Sequence, residues 1–361
     1  MKILHIYKDY YPVLGGIENH MKTLAEAQAA AGHDVTVLVT NAGNQLSEEY
    51  LNGVRVIRVK KQATAVSTPL SIQFPFKLRE LRADIHHLHF PYPVGEVSQL
   101  LMGGKRPFVI SYHSDVVKQK NILRLYSPLL KRVLAGAGQI LVASDNYLQS
   151  STWLQPFADK CTIIPYSVDL DRFSGTAVPL IPPVDVPTLI FVGRHRYYKG
   201  VDTLIRAMAH VNGRLLIGGD GLERANWEQL TTDLELEQRI QFVGDISDAD
   251  LPAFYASGDI FVLPANSRAE AFGLVLQEAM AMGLPCVTSE LNTGTSWLVQ
   301  DGITGVVTPP QQPKGLAEAI NKLLTDPALR QKMGDAGRQR TLNEFTVARM
   351  IARIESVYRA V

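Results

Sequence analysis

Strand-length apolar runs alternating with helix-length amphipathic stretches recur along this chain of 361 residues, and the rhythm is interrupted only once. KILHIY (2–7), DVTVLV (34–39), VRVIRV (54–59), DIHHLH (84–89), PFVISY (107–112) and QILVAS (139–144) are separated by segments such as ENHMKTLAEAQAAAG. Buried runs joined by helices predict a parallel α/β sheet. The pattern pauses at VDLDRFSGTAVPLIPPVDVP (168–187), rich in proline and without periodicity, and resumes with TLIFVG (188–193), RLLIGG (214–219), RIQFVG (239–244), DIFVLP (259–264), LPCVTS (284–289) and TGVVTP (304–309). From Leu316 onward the pattern is helical. Two α/β domains follow, at 1–170 and 187–343, with 171–186 as their linker; the length suffices for two separate cores. Ligands of open parallel sheets bind beyond the carboxyl ends of the strands, so the strand-to-helix turns are where chemistry is sought.

Bulk properties exclude several partners. The formal net charge is +1 and 20% of residues are charged, so no global field attracts nucleic acid and any anion site must be local. Cys161 and Cys286 each lie in an apolar run, far apart in sequence, which fits two buried free thiols in a reducing compartment. The opening MKILHIYKDYYP is too short in its apolar part for a signal peptide, and no run approaches the roughly 20 apolar residues that span a bilayer. A cytoplasmic protein is expected.

The chemistry concentrates in SRAEAFGLVLQEAMAMGLP (267–285), where Glu270 and Glu278 flank a glycine-led helix start. Gly273 permits close backbone approach, and LVLQEAMAM has helical period up to Gly283 and Pro285. The first N–H groups of that helix lack intrahelical partners and carry the positive end of its dipole, a ready site for a diphosphate. Glu278 lies roughly 7 to 8 Å further up the axis, near the distance from a diphosphate to its ribose, at about 1.5 Å per residue. Its carboxylate can accept from both ribose hydroxyls, while Glu270 sits at the other end, where a sugar would be. A lone pair of this spacing is more often two solvated glutamates on a surface helix; the surrounding residues decide otherwise.

Glu270, Phe272, Gly273, Glu278, Ala279, Met280, Ala281, Gly283 and Pro285 together resemble the E-x-F-G-x(4)-E-A-M-A-x-G-x-P signature of retaining glycosyltransferases of family four. LGGIENH (14–20), SYHSD (111–115), VDLDRF (168–173), FVGRHRYYKG (191–200), GGDGLER (218–224) and DGITGVV (301–307) follow in that family's order, so the likeness covers nearly the whole chain. The opening segment and NTGTSW (292–297) look closest to bacterial members that build surface polysaccharides, often mannosyltransferases. The resemblance implies the GT-B arrangement: two Rossmann-like domains with parallel sheets facing across a cleft, the first binding acceptor and the second the nucleotide sugar. It also implies that the C-terminal helix (344–361) crosses back to brace the first domain.

Residue by residue, the resemblance implies that Arg194 and Lys199 contact the donor diphosphate, stabilising its growing charge in place of a divalent metal. Phe272, Gly273 and Leu274 offer backbone groups to phosphate and sugar, and Gly15 and Gly16 form a loop over the donor phosphate. His113 sits near the transferred sugar, and Glu18, His20 and His89 are acceptor-side candidates. Catalytic roles fall to Glu270, His113, Arg194 and Lys199. The D-x-D of Asp169 and Asp171 invites a metal, but it matches an interdomain structural element of the family, with Ser167 where glycine is usual. His86, His87 and His89 cannot converge simply, because alternation puts His86 on the opposite face of the strand. GGDGLER lacks the full G-x-G-x-x-G spacing of a dinucleotide loop. No metal or cofactor is expected.

The implied reaction is retaining transfer of a hexose from GDP-mannose or a UDP-sugar to a glycan or lipid-linked glycan. Same-face attack needs no strong protein base, whereas a double displacement would need a carboxylate behind the anomeric carbon. Competing classes are a sugar-nucleotide epimerase, which would release product without an acceptor, and a non-catalytic nucleotide-sugar sensor. KQKNILRLYSPLLKRVL (118–134) carries five basic residues, a leucine-rich face and no acid, so peripheral contact with the anionic inner face of the membrane is a further expectation. An ordinary core helix with a basic outer face is the alternative. Donor base, sugar, acceptor, linkage and oligomeric state leave no readable trace.

Overall fold

A computed structural model describes residues 1–13, 15–41, 43, 45–65, 68–116, 120–173 and 177–361, with the backbone alone for 120–125. The chain divides into two compact units, one formed by 1–166 with 347–361 and the other by 167–346. The C-terminal helix Val347–Ala360 packs in the first unit against the helix Gly16–Ala30.

The first unit is built on β1 (Lys2–Ile6), β2 (Asp34–Thr40), β3 (Ser47–Leu51), β4 (Val54–Val59), β7 (Ile85–Phe90), β8 (Phe108–Tyr112), β9 (Gln139–Val142) and β10 (Cys161–Ile163), with a small separate hairpin of β5 (Ala63–Ala65) and β6 (Thr68–Leu70). Sheet order is β10-β9-β8-β7-β1-β2-β4-β3, parallel except for β3 at the edge. Central strands are buried on both faces because helices cover both; β7, half of it histidine, and β8 are buried at every position. The strand order reverses between β1 and β7, so the turns after these strands flank the crevice such sheets offer to ligands. Register sets His5 opposite His87, and His89 opposite Ser111.

The second unit is a six-stranded parallel sheet of β11 (Thr188–Val192), β12 (Arg214–Gly218), β13 (Ile240–Gly244), β14 (Ile260–Leu263), β15 (Cys286–Ser289) and β16 (Gly305–Thr308), in the order β13-β12-β11-β14-β15-β16. Its order reverses between β11 and β14. The loop after β11 carries Arg194 and Lys199; the loop after β14 leads to Glu270 and Gly273. Two distant stretches of sequence therefore meet because their strands are neighbours at the switch point.

Of residues 171–186, expected as a linker, the described ones, 171–173 and 177–186, belong to the second unit. Phe173 is buried, Leu180 N donates to Ala253 O at 2.9 Å, Ile181 N donates to Ser257 Oγ at 3.0 Å, and the Arg214 guanidinium reaches Pro182 O at 3.0 Å. Proline removes donors but not acceptors, so a segment without periodicity still straps onto a unit.

The expectation of a membrane-facing segment finds no support here. Residues 118 and 119 lie outside the described residues. In the helix Lys120–Gly136, Leu130, Val133 and Leu134 are fully buried in the unit's own core, while Lys131 and Arg132 are exposed. Where its side chains are described, at 130–134, the leucine face is already covered by protein. Among the described residues no helix is long and apolar enough to cross a membrane. Both thiols are free; Cys286 is buried and Cys161 is half-buried.

Candidate active site

Lys199 closes a 3₁₀ turn (Tyr197–Lys199) eleven residues after β11 begins, and its side chain is brought inward because the next residue turns left-handed. Gly200 has φ +68°, and an added Cβ there would overlap the carbonyl of Pro264 on the neighbouring loop. Only glycine combines that dihedral with that approach. Lys199 Nζ lies 2.7 Å from Glu270 Oε2, each side chain about one-tenth exposed. Burial pushes the Lys199 ammonium down, but Glu270 chiefly, with Tyr198 and Glu278, more than offsets this and raises it. The pair is thus a buried ion pair that would be costly to break from one side. Arg194 is exposed and enters no ion pair among the described residues.

Glu270 is held through its backbone. Its N–H donates to Ser267 O at 3.0 Å and its carbonyl accepts from Thr293 Oγ1 at 3.0 Å, while Gly294 N donates to Ala271 O at 2.8 Å. Thr293 and Thr295, buried and 3.2 Å apart through their hydroxyls, therefore clamp the loop from the NTGTSW segment. Beyond the clamp, Phe272 is buried and Gly273 takes φ +88° as N-cap of the helix Leu274–Ala281. No side chain caps this helix, so its leading N–H groups and dipole stay open to an anion.

Further along that helix, Glu278 is half-buried and accepts from the Tyr255 hydroxyl at 2.7 Å. Burial raises its carboxyl to about 7, with Tyr255 and Arg172 acting in the opposite direction. Phe173 packs edge-on against Tyr255, ring centroids 5.9 Å apart, which ties the strap segment to the carboxylate's partner. Asp169 is exposed and accepts from Asp171 N at 3.1 Å and Arg172 N at 3.3 Å, holding the first turn of the short helix Leu170–Phe173.

The remaining candidates lie in the first unit. Gly15 precedes the helix Gly16–Ala30 with extended backbone, and the space an added Cβ would fill holds the carboxylate of Glu18, itself 3.9 Å from Lys8 Nζ. This acid, at the third helical position, answers the positive end of the dipole from within the chain. His20 is buried with Nδ1 unpartnered, its ring 4.3 Å from that of Tyr166. His113 and His89 are buried and bonded to each other, Nδ1 of His89 to Nε2 of His113 at 3.0 Å. His113 Nδ1 meets the Tyr166 hydroxyl, and His89 Nε2 meets His5 Nδ1 at 3.0 Å. Neither ring keeps a free nitrogen for a sugar hydroxyl, and burial holds both well below the ordinary imidazole range, so both are neutral.

His86 indeed points to the other face, toward Gln99 Oε1 at 2.6 Å. His5 joins His87 and His89 instead: these three buried rings bring ligand atoms within 4.8 Å of one another, a cluster the 86/87/89 spacing did not suggest. Tyr255, Thr293, Thr295, Tyr166 and His5 were all missed, because their roles depend on strand neighbours and not on any local pattern. His5 alone carried a signal, its parity on β1 matching that of His87 on β7.

Two parallel-sheet units, each with its candidate residues at a switch point, and a cation–carboxylate pair beside an uncapped helix tip define a transferase of the GT-B class. Residues 179–340 match the family described as glycosyl transferases group 1, and residues 14–172 match glycosyltransferase family 4. A D-rhamnosyltransferase of Pseudomonas aeruginosa is 32% identical over 353 residues, covering 96% of this chain and 92% of that protein. An O-antigen chain mannosyltransferase C of Escherichia coli is 32% identical over 99% of this chain and 98% of its own length. Among solved structures, a sucrose-phosphate synthase from Thermosynechococcus elongatus superposes with a TM-score of 0.81 at 26% identity, over 99% of this chain and 98% of that one. The chain belongs to glycosyltransferase family 4.

Proposed function

We propose that this glycosyltransferase moves a manno-configured hexose from a nucleoside diphosphate donor to a hydroxyl of a glycan, free or lipid-linked, in surface-polysaccharide synthesis, with retention and without a metal ion. The observation that carries the reading is the Lys199–Glu270 pair beside the open tip of the helix Leu274–Ala281. Mannose and D-rhamnose share their ring configuration, and the two bacterial relatives are named for transferring them.

In this reading the donor diphosphate rests on the N–H groups of Gly273 and Leu274, with Lys199 and Arg194 against its oxygens and Glu278 on the ribose. As the bond from the anomeric carbon to phosphate oxygen breaks, the acceptor oxygen bonds to that carbon from the same face, and its proton passes to the phosphate oxygen. Glu270, paired to a lysine at 2.7 Å, is a poor nucleophile; it orients sugar hydroxyls and Lys199 together. For the first unit the roles are those the family resemblance implies: His113 for the transferred sugar, Glu18 and His20 for the acceptor.

A thermal-shift panel of GDP-mannose, GDP, UDP-glucose, UDP-galactose, UDP-GlcNAc and UDP tests the donor, with GDP and GDP-mannose expected to stabilise most. Glu270→Ala, Arg194→Ala and Lys199→Ala should each lower transfer, the first and third by at least a hundredfold, on the scale of a lost transition-state donor. Near-wild-type rates in all three would remove the assignment.

A further inference from the structure

Eight buried groups of the first unit join in one unbroken hydrogen-bonded chain. Tyr166 meets His113 Nδ1; His113 Nε2 meets His89 Nδ1 at 3.0 Å; His89 Nε2 meets His5 Nδ1 at 3.0 Å; His5 Nε2 meets Gln28 Oε1 at 2.7 Å. Gln28 Nε2 continues to the Tyr358 hydroxyl at 3.3 Å, which meets His87 Nδ1 at 2.6 Å, and His87 Nε2 meets Ser111 Oγ at 2.7 Å. The groups come from β1, β7, β8 and the residue after it, His113, the helices Gly16–Ala30 and Val347–Ala360, and Tyr166.

A neutral imidazole donates from one nitrogen and accepts at the other, so a chain of such rings has one direction throughout. Here the direction is set by a single amide. With the Gln28 carbonyl facing His5, His5 must donate from Nε2 and accept at Nδ1; His89 then donates from Nε2 to His5, His113 from Nε2 to His89, and Tyr166 donates to His113. On the other arm the Gln28 amide donates to Tyr358, Tyr358 donates to His87 Nδ1, and His87 donates from Nε2 to Ser111. Each of the seven bonds then has one donor and one acceptor. Turning the amide over would reverse all seven bonds and move the proton of all four rings to Nδ1.

We propose that these groups form a directional relay in which His5, His87, His89 and His113 all carry their proton on Nε2, and that Tyr166 is a positioning residue that fixes the orientation of the His113 ring for sugar transfer. The second clause rests on the role proposed above for His113; the first does not. His5, His87 and His89 come close enough to suggest an ion site. Every ring nitrogen of the three is already bonded, however, and among the described residues no carboxylate bonds to any of the four rings to offset an ion's charge in so buried a place. The titratable groups facing His113 are His89, Tyr166 and His20, whose ring lies 5.5 Å away, and all are neutral at pH 7.

The test is long-range proton–nitrogen NMR on the full chain labelled with ¹⁵N-histidine, with rings assigned by single substitutions. Four Nε2–H rings, unchanged from pH 5.5 to 8.5, are expected. An Nδ1–H or charged ring among the four would overturn the relay, as would their joint displacement by equimolar zinc chloride. Tyr166→Phe should leave His113 on Nε2–H, still held by His89, while its Nδ1 signal shifts with the lost bond and kcat falls about tenfold with the donor KM within about twofold; an unchanged kcat would refute the role of Tyr166, and a changed His113 tautomer would contradict the direction of the chain. Tyr358→Phe tests the other arm should the first variant not fold: His87 should lose its single tautomer, and a wild-type His87 signal would contradict the chain. The NMR patterns decide the relay whatever the enzyme transfers, so its failure is distinct from failure of the proposed reaction.

Discussion

Glu278 has a carboxyl that burial raises to about 7, while its proposed task, accepting from ribose hydroxyls, requires the ionised form. Donor binding must therefore tighten as pH rises through 7, and we expect the donor Kd, measured by calorimetry, to fall several-fold between pH 6 and pH 8. Glu278→Gln should bind more weakly and lose that dependence; an equally steep profile in the variant would assign the titration elsewhere. The same shift acts on stability. A carboxyl with a raised folded pKa binds more protons folded than unfolded between about 4.5 and 7, so its contribution falls as pH rises across that window. Glu278→Gln should thus be more stable than wild type at pH 8, by on the order of 1–2 kcal/mol, and not at pH 4.5. Gly200 gives a residue-scale prediction of opposite sign. Gly200→Ala places a Cβ against the Pro264 carbonyl at φ +68°, which should cost at least about 2 kcal/mol in denaturant unfolding. A variant as stable as wild type would mean that the loop holding Lys199 is not fixed as described.

At the scale of elements, the pairing of β1, β7 and β8 buries four imidazoles in one layer, joined by His20 from the adjoining helix. Burial lowers His5 to about 4 and His20 to about 3, and holds the others well down. Unfolded histidines bind protons below about 6.5, so stability should rise with pH from about 4 to 6.5 and be lost on acidification, by about 1.4 kcal/mol per ring per pH unit at most. Thermal midpoints should drop steeply between pH 6.5 and 5; a flat profile would contradict neutral burial. How much of this was legible follows the same geometry. The twelve long apolar runs became strands because continuous hydrophobicity between helices has few other solutions. The charged edge strand Ser47–Leu51, the short paired strands 63–65 and 68–70 and the three-residue β10 carry no such run; neighbours impose them. As candidates, Glu270, Gly273, Glu278 and Lys199 could be named from sequence because backbone approach and charge demand particular residue types. Tyr255 and Thr293 were not, since hydroxyl partners can come from any neighbouring element. The proline-rich 171–186 looked unattached because its bonds use backbone groups, which composition does not record.

For the whole molecule, near-neutral net charge leaves recognition to local geometry, and both sheets place their candidate residues at the reversal of strand order. The two bacterial relatives are named for transferring D-rhamnose and mannose, and one fold can carry many specificities. The central claim is narrower than that breadth: a lysine and a helix tip, without an ion, hold the departing diphosphate. Calorimetric titration with GDP in excess EDTA, on wild type and Lys199→Ala, tests it most directly. The account requires wild-type affinity to be unchanged by the chelator and that of the variant to fall at least tenfold. Loss of wild-type binding in EDTA, restored by a divalent cation, would contradict it.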